Sequence, residues 1–238
     1  MTYRQDSDIV HDYGRYILRN RSHTIRDSQA VDFYLSSTNN QSTFDVTREF
    51  QTRKNRILWF VSNCHARTKR HEIAAELSQS FPIDQYGGCT NAKKTSNFIS
   101  TIDFEKKLFQ YKFYLAFENA ICQDYITEKA FYNSLVHGSI PIVLGPTEEN
   151  YRNILPAHSF IHIEHFRHLD QLTEELKRIS ENVNVFTLYH QWRRDYRVIA
   201  WPSNYFLDDR FCDLCIKLYE DKQEKVYRNF SNWLNKCA

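Results

Sequence analysis

The amino-acid sequence predicts an α/β fold in which helices flank a parallel sheet. The first observation is a series of short, continuous apolar runs, which is the pattern of strands buried on both faces. The second is that segments with helical spacing and capping residues separate these runs. The third is residues 111–146, where a strand, a helix and a second strand follow closely on one another. Such a βαβ unit has parallel strands and a right-handed crossover.

The first part of the chain has little regular pattern before residue 56. Residues 19–55 are polar and rich in Ser, Thr, Asn and Arg, so we expect an exposed connection with at most one edge strand. Beyond this point the pattern predicts a strand, a helix, a second strand, and a loop with a short helix: Ile57–Val61, Ala66–Ser80, Ile83–Tyr86 and 90–110.

The βαβ unit is the centre of the prediction. Its strands are Lys112–Phe117 and Ile140–Leu144. Between them, Asp124 or Thr127 is suited to cap a helix, and Gly138 is suited to end it in a left-handed conformation. The later segments predict a helix, a strand, an amphipathic helix and two more helices: Glu148–Ile154, Phe160–Ile163, Leu169–Ile179, Val185–Tyr196 and Arg210–Tyr219.

Composition and charge argue against several functions. The 238 residues are 42% hydrophobic, which is ample for a core. Their net charge of +2, from 31 basic and 29 acidic residues, gives no basis for binding nucleic acid or a membrane surface. No apolar run approaches the ~20 residues of a membrane span, and the first residues do not form a signal peptide. No G-x-G-x-x-G follows a predicted strand, which disfavours an oxidoreductase.

Three residues of the βαβ unit suggest a ligand site. Tyr125, Glu128 and Lys129 are spaced i, i+3 and i+4, which would place them on one face at the start of the predicted helix. Backbone N–H groups and the helix dipole attract phosphate at that end, and a lysine there supplies a positive charge. The neighbouring carboxylate could face a sugar that becomes cationic during transfer. On spacing alone, a capped surface helix with an ordinary Glu–Lys pair is the favoured interpretation.

Two patterns invite a metal-site interpretation, and neither is favoured. Asp6-Ser7-Asp8 offers two carboxylates for a hard cation, but such triplets are common. Four histidines are spread over a strand and a loop without ligand spacing: His158, His162, His165 and His168. We therefore predict no metal site.

Three N-glycosylation motifs favour the secretory pathway. Asn20, Asn40 and Asn229 each begin an Asn-X-Ser sequence, which is the acceptor for an N-linked glycan.

The six cysteines leave their pairing open. Cys64, Cys89 and Cys122 each follow a predicted strand at the same sheet edge, so one pair among them can form a disulfide that the sequence does not identify. Cys212 and Cys215 form a lone C-x-x-C, for which neither a redox role nor a zinc site is favoured. The sixth cysteine is Cys237.

Several motifs resemble a known family in order and spacing. FYLAFEN is followed by DYITEK, PIVLGP and SFIHIEHF, and preceded by VSN, Arg67 and, near the start, TYRQDSDI with DYG. Together they closely resemble the donor-binding signature of the α1,3/α1,4-fucosyltransferases, glycosyltransferase family 10. The resemblance covers most of the chain except roughly residues 20–55. It implies an inverting enzyme of the GT-B type with Rossmann-like domains and no required cofactor, in which Mn²⁺ stimulates at most modestly.

The resemblance also implies a division of the chain into three parts. Residues 1–55 would be a remnant of the N-terminal acceptor domain with its linker, and 56–182 the Rossmann-like domain that binds GDP-fucose. Residues 183–238 would be helices that return to the N-terminal domain, where Cys212 and Cys215 would find their disulfide partners. Family members are typically type II proteins of the Golgi membrane, so we expect a parent protein anchored through an N-terminal segment that this chain lacks.

Residue roles follow from the matched positions. The donor site would comprise Tyr13, Ser62, Asn63, Arg67, Tyr114, Asn119, Tyr125, Glu128 and Lys129. Of these, Arg67 and Lys129 would neutralise the diphosphate leaving group, and Glu128 would face the fucose. Ser62 and Asn63 would line the phosphate side, and Tyr13 would reach the site from across the domain boundary. The remaining tyrosines and the asparagine would position ribose, fucose and phosphate.

The expected reaction transfers fucose from GDP-fucose to N-acetylglucosamine of a glycoprotein glycan. An α1,3 linkage is favoured over α1,4, although the sequence does not settle the linkage or the acceptor. In the family the general base is a glutamate of the N-terminal domain, upstream of this chain. We therefore expect the chain alone to be inactive. The alternative is a fragment or isoform that only binds GDP-fucose.

Overall fold

A five-stranded parallel sheet forms the centre of the molecule. The computed structural model describes residues 2–19, 44–89, 101–200, 214–220, 226–234 and 237. The strands of the sheet are β2 (Lys54–Phe60), β3 (Ile83–Tyr86), β4 (Tyr111–Phe117), β5 (Ile140–Leu144) and β6 (Ile161–His162), in the order β3-β2-β4-β5-β6. All neighbouring pairs are parallel. The predicted α/β class is confirmed.

The central strand, β4, is covered on both faces. All seven of its residues are buried, which explains why its sequence is a continuous apolar run and not an alternating one. Phe113 and Leu115 belong to one core cluster, whereas Tyr114 and Ala116 belong to the other. Successive side chains point to opposite faces of a strand, so β4 divides the core into two layers.

Helices cover both faces of the sheet. They are α1 (Val46–Thr52), α2 (Arg70–Leu77), α3 (Thr101–Leu108), α4 (Glu148–Ile154), α5 (Leu169–Glu181), α6 (Val183–Leu188), α7 (214–220) and α8 (Phe230–Leu234). Buried residues of α2, α5 and α6 pack on one face, and those of α4 pack on the other. Within the described ranges, no helix is long and apolar enough to span a membrane.

The strand order identifies where this sheet has room for a ligand. The chain passes from β2 outward to β3, then returns to the other side of β2 to form β4. At such a reversal the neighbouring connections leave in opposite directions, which opens a crevice at the carboxyl ends of the two strands. In this protein the crevice lies between the residues that follow Phe60 and those that follow Phe117.

The crossover from β4 to β5 is not the α-helix that the sequence predicts. A π-helical segment occupies Phe131–Val136, with N–H groups bonded to the carbonyl five residues earlier, as in Asn133 to Glu128 at 2.8 Å. Asp124 has a positive φ of 63°. The Thr127 hydroxyl donates to the carboxylate of Glu118, the residue that follows β4. Neither side chain therefore caps a helix. Gly138, at φ 83°, ends the segment in the predicted left-handed conformation.

Other element predictions differ at the ends of the chain. The strand β1 (Gly14–Leu18) pairs antiparallel with β7 (Tyr196–Ala200), and neither was predicted. The predicted helix Val185–Tyr196 is divided into α6 and a 3₁₀ turn, Gln191–Arg194, before β7 begins. Helix α1 lies inside the predicted connection 19–55, whose residues 20–43 are outside the described part. The start of the predicted helix Arg210–Tyr219 is also outside it.

The two ends of the chain pack against each other. Arg4, which is buried, donates to the Asp6 carboxylate at 2.7 and 2.6 Å and to the Trp233 carbonyl oxygen at 2.7 Å. The Tyr227 hydroxyl donates to Asp8 at 2.5 Å. We call this set of contacts the terminal clasp. Both carboxylates of the Asp6-Ser7-Asp8 triplet are therefore bonded to protein groups.

Candidate functional site

Arg70 joins the two sides of the crevice. Its Nη1 donates to the Phe117 carbonyl oxygen at the end of β4 (3.0 Å), and its Nη2 donates to the Asn63 carbonyl oxygen beyond β2 (2.6 Å). Only 2% of the residue is exposed, and its Nε has no hydrogen-bond partner in the described structure. Burial lowers the pKa of Arg70, against the effect of the nearby Glu118 carboxylate. A positive charge is thus held between the carboxyl ends of the two strands.

A second cation is held beside it by a buried carboxylate. Glu118 directly follows β4 and is 0% exposed. Its oxygens accept hydrogen bonds from the Thr127 N–H (2.8 Å), the Thr127 hydroxyl (3.0 and 2.9 Å) and the Lys129 ammonium (2.8 Å). The ammonium also donates to the Thr127 hydroxyl at 2.8 Å. These bonds fix Lys129 without the helix that the sequence predicts.

Electrostatics keep this lysine protonated. Burial lowers the pKa of Lys129, but the Glu118 and Glu128 carboxylates outweigh it, so the net shift is upward. Burial raises the pKa of the Glu118 carboxyl, and Lys129 opposes that shift. An ammonium has three N–H donors, of which Glu118 and Thr127 use two. The third is available to a ligand, because the nearest Glu128 oxygen is 3.6 Å away.

Three tyrosines form one side of the site. The Tyr125 ring packs edge-on against Tyr3, at 5.1 Å between centroids, and against Tyr13, at 6.4 Å. Burial raises the pKa of Tyr125 to about 12, and Glu118 acts in the same direction. Burial raises the pKa of Tyr13, and the nearby Glu128 carboxylate raises it further. The structure therefore brings Tyr13 and Tyr125 together near Glu128, as the sequence predicts.

Other predicted residues differ in their position. Ser62 and Asn63 are exposed at the end of β2, and Asn119 is half-buried after β4. Arg67 is exposed in a turn, because α2 begins only at Arg70 and not at Ala66 as predicted. The expected placement of Arg67 in the first helical turn is therefore wrong.

Tyr114 lies in the core and not at the surface of the crevice. It is 1% exposed, and its hydroxyl accepts a hydrogen bond from Asn133 at 2.9 Å. This burial does not support the predicted contact with ribose, fucose or phosphate, and we give Tyr114 no ligand role below.

Disulfides fix the loops on both sides of the site. Cys64 is bonded to Cys89, which ties the loop after β2 to the loop after β3. Gly87 permits this approach, because a Cβ there would lie 2.3 Å from the Val61 carbonyl oxygen. Among the three cysteines at this edge, Cys64 and Cys89 are thus the pair that the sequence left open.

Cys122 pairs instead with Cys237, which fastens the end of the chain to the loop before Tyr125. Next to it, Asp124 accepts hydrogen bonds from the Gln5 N–H and the Asn150 amide, both at 3.1 Å. Cys215 is an exposed free thiol, and Cys212 is outside the described residues.

The described residues contain no cluster of three or more side chains that could hold a metal ion. His162, the buried histidine among the four considered, is bonded to the Pro146 carbonyl oxygen at 3.1 Å. The site does contain two cations, Arg70 and Lys129, and such groups suit an anionic ligand.

Sequence reasoning missed Arg70, which bonds the residues beyond both strands. Arg67 and Arg70 are three residues apart, and only the fold shows that Arg70 is the one at the strand ends. The signal that could have found it is an arginine one turn after the β2 loop, where the helix faces the sheet. The sequence also did not reveal that Glu118 and Thr127 fix Lys129. Both residues belong to the motifs FYLAFEN and DYITEK.

These features define the class of protein. A doubly wound parallel sheet with a buried arginine and a partly buried lysine at its switch point is typical of a domain that binds a phosphate-containing ligand.

Comparison with known proteins specifies the family. The family model described as glycosyltransferase family 10 (fucosyltransferase), C-term, matches residues 50–233. The chain therefore belongs to this family, as the motifs predict.

Two relatives and one solved structure illustrate the similarity. The Homo sapiens 4-galactosyl-N-acetylglucosaminide 3-alpha-L-fucosyltransferase 9 is 34% identical over 237 residues, which is 98% of this chain and 56% of that protein. The Drosophila melanogaster glycoprotein 3-alpha-L-fucosyltransferase A is 33% identical, over 98% of this chain and 42% of that protein. The chain thus spans about half the length of these relatives.

A crystal structure of alpha1,3-fucosyltransferase with GDP-fucose shares the fold. Its TM-score is 0.54 and its sequence identity 18%, over 88% of this chain and 57% of that chain.

Proposed function

We propose that this chain is the donor-binding half of an inverting α1,3-fucosyltransferase, which transfers fucose from GDP-fucose to N-acetylglucosamine of a glycoprotein glycan. The observation that carries the proposal is the pair of cations, Arg70 and Lys129, fixed at the switch point of the sheet. Family membership and the names of the relatives support the choice of fucose and of the α1,3 linkage.

The two cations would act on the leaving group. During transfer the bond from the anomeric carbon of fucose to the diphosphate oxygen breaks, and negative charge develops on GDP. Cations that are already in place stabilise that charge without reorganisation at the moment of reaction. Lys129 is held by two bonds and Arg70 by two, so both meet this condition. Arg67 would contact a phosphate from its exposed turn.

The other groups of the site would position the sugar. Glu128 is partly exposed beside Lys129, and we assign it to the fucose ring, where a carboxylate favours oxocarbenium character. Tyr125, Tyr13 and Asn119 would hold the ribose and fucose, and the exposed Ser62 and Asn63 would line the phosphate side. A new bond then forms from the acceptor oxygen to the opposite face of the anomeric carbon.

The proton of the acceptor hydroxyl requires a general base. We assign this base, and the acceptor site, to the part of the longer relatives that this chain does not span. We also propose that the reaction needs no metal, and that the enzyme works in the lumen of the Golgi. Two disulfides among the described residues support a secretory compartment, because such bonds persist in oxidising surroundings.

Binding and transfer assays test the proposal separately. The chain should bind GDP-fucose and not UDP-galactose in calorimetric titration, and Lys129→Met should weaken this binding by at least about tenfold. Lys177→Met, on the exposed side of α5, is the matched control and should leave binding unchanged.

Transfer distinguishes the enzyme from a fragment that only binds the donor. A longer protein that contains this chain should transfer fucose to an N-acetylglucosamine-containing glycopeptide, and residues 1–238 alone should not. Absence of GDP-fucose binding by both proteins would refute the proposal. Binding without transfer by the longer protein would favour the binding-only alternative.

A further inference from the structure

An exposed aromatic surface lies near the end of the chain. Tyr227, Phe230 and Trp233 pack on one another, with ring centroids 4.8 Å apart for Tyr227–Trp233 and 5.8 Å for Phe230–Trp233. Phe230 is 49% exposed and Val226 79% exposed. A cavity of about 410 Å³ lies among Val226, Tyr227, Arg228, Asn229, Asn232 and Trp233. Tyr227 and Phe230 therefore present exposed aromatic rings beside this cavity.

One residue of this cavity is a chemically defined attachment point. Asn229 is followed by Phe230 and Ser231, so it is the acceptor of an Asn-X-Ser motif whose middle residue is not proline. It is exposed in the turn before α8. Its side-chain amide makes no hydrogen bond to any described residue. The two other motifs, at Asn20 and Asn40, lie outside the described residues.

The surroundings of Asn229 fit the compartment in which glycans are attached. Cys122 and Cys237 form a disulfide close in sequence to this surface, and Cys64 and Cys89 form another. Disulfides form in the oxidising secretory pathway, which is also where N-linked glycans are added.

We propose that Asn229 carries an N-linked glycan whose first N-acetylglucosamine packs against the exposed ring of Tyr227. In the attachment step, Asn229 Nδ2 forms a bond to the anomeric carbon of a lipid-diphosphate-linked oligosaccharide. The bond from that carbon to the diphosphate breaks, the amide loses one proton, and the lipid diphosphate leaves. The apolar face of a pyranose ring complements an aromatic ring, so the sugar covers the exposed surface.

A glycan at Asn229 should stabilise the terminal clasp. Tyr227 and Trp233 are the residues that hold Asp8, Asp6 and Arg4 at the other end of the chain. A sugar packed on Tyr227 shields its bond to Asp8 from water. The clasp should therefore open less often in the glycosylated protein.

Mass spectrometry of the chain, secreted from eukaryotic cells behind an added secretion signal, tests the attachment. The wild-type peptide that contains Asn229 should carry the mass of a glycan. Asn229→Gln and Ser231→Ala should both lose it, whereas Ser231→Thr preserves the motif and should keep it. An unmodified Asn229 in the secreted wild-type chain would overturn the proposal, and this result does not depend on whether any variant folds.

Hydrogen exchange tests the packing. Backbone amides of residues 226–234 should exchange more slowly in the wild-type chain than in Asn229→Gln, and Tyr227→Ala should remove this difference while keeping the glycan. Equal exchange with and without the glycan would contradict the contact with the aromatic surface.

Discussion

Replacing Lys129 by methionine tests how the site is held together. The substitution keeps an unbranched side chain of similar length but removes the ammonium that Glu118 and Thr127 bind at 2.8 Å. Glu118 is 0% exposed, so it would lose the charge that compensates its burial. Breaking a buried pair by removing one partner costs about 3–5 kcal/mol. Burial already raises the pKa of Glu118, so its carboxyl group should become protonated in the variant. This protonation should limit the loss of unfolding free energy to the lower end of that range, about 3 kcal/mol.

The loss should depend on pH with a defined sign. In the variant the pKa of Glu118 lies still higher, above that of the unfolded chain. The loss is therefore full at neutral pH and shrinks as the pH falls towards the ordinary range of glutamate, because the native state then keeps a proton that the unfolded state releases. Urea unfolding of wild type and variant at pH 7 and pH 5 measures both values.

A double variant separates stability from ligand binding. Glu118→Gln combined with Lys129→Met removes both charges, so most of the lost stability should return while affinity for GDP stays low. An unfolding free energy for Lys129→Met within about 0.5 kcal/mol of wild type would refute the role of the buried pair. So would a double variant no more stable than the single one.

Three further predictions concern the structure around the site. Arg70→Met should weaken GDP binding by at least about tenfold in titration, because it removes a buried charge, and Arg67→Met, at an exposed position, should have the smaller effect; the reverse order would return the main phosphate role to Arg67. Replacing Cys122 and Cys237 by serine opens a loop with a sequence separation of 115, so unfolding in urea should cost up to about 4–5 kcal/mol less free energy than in the wild type; unchanged stability would show that the bond contributes nothing. Burial lowers the pKa of His137 to about 4, so the unfolded state binds more protons between there and about pH 6.5, and stability should fall by about 2 kcal/mol from pH 8 to pH 5; His137→Asn should flatten this profile, and an unchanged slope would contradict the burial of a neutral histidine.

The strands and short helix near the centre were predictable because local signals specify them. Ile83–Tyr86, Ile140–Leu144 and Glu148–Ile154 were predicted to the residue. Each is a short segment bounded by residues that suit turns or caps, such as Gly138 and Thr147. Burial on both faces makes Ile140–Leu144 a continuous apolar run, so neighbours in the fold add little information about it.

The peripheral sheet was not predictable from local pattern. Gly14–Leu18 and Tyr196–Ala200 are far apart in the sequence, and among the described residues each pairs with the other alone. A two-stranded pair of this kind is marginal alone and depends on packing against the rest of the molecule. The pairing that stabilises these strands joins distant parts of the sequence, so local pattern does not indicate it.

In the site, the motifs predicted the residue types but not how they are held. Tyr125, Glu128 and Lys129 were placed by helical spacing, yet they lie in a non-helical segment before Phe131. What fixes Lys129 is Glu118, whose burial is a property of the folded sheet. Spacing of three and four residues describes a helix surface and cannot reveal a bond across a crossover.

The affinity of the chain for GDP, compared with GMP, tests the central claim most directly. If cations at the ends of β2 and β4 bind the diphosphate, GDP should bind wild type at least about tenfold more tightly than GMP, since a charge-assisted contact contributes about 1.5–3 kcal/mol. The ratio should fall severalfold in the Glu118→Gln, Lys129→Met double variant, which retains Arg70. Equal affinities for GDP and GMP in wild type, or an unchanged ratio in a folded double variant, would contradict the account.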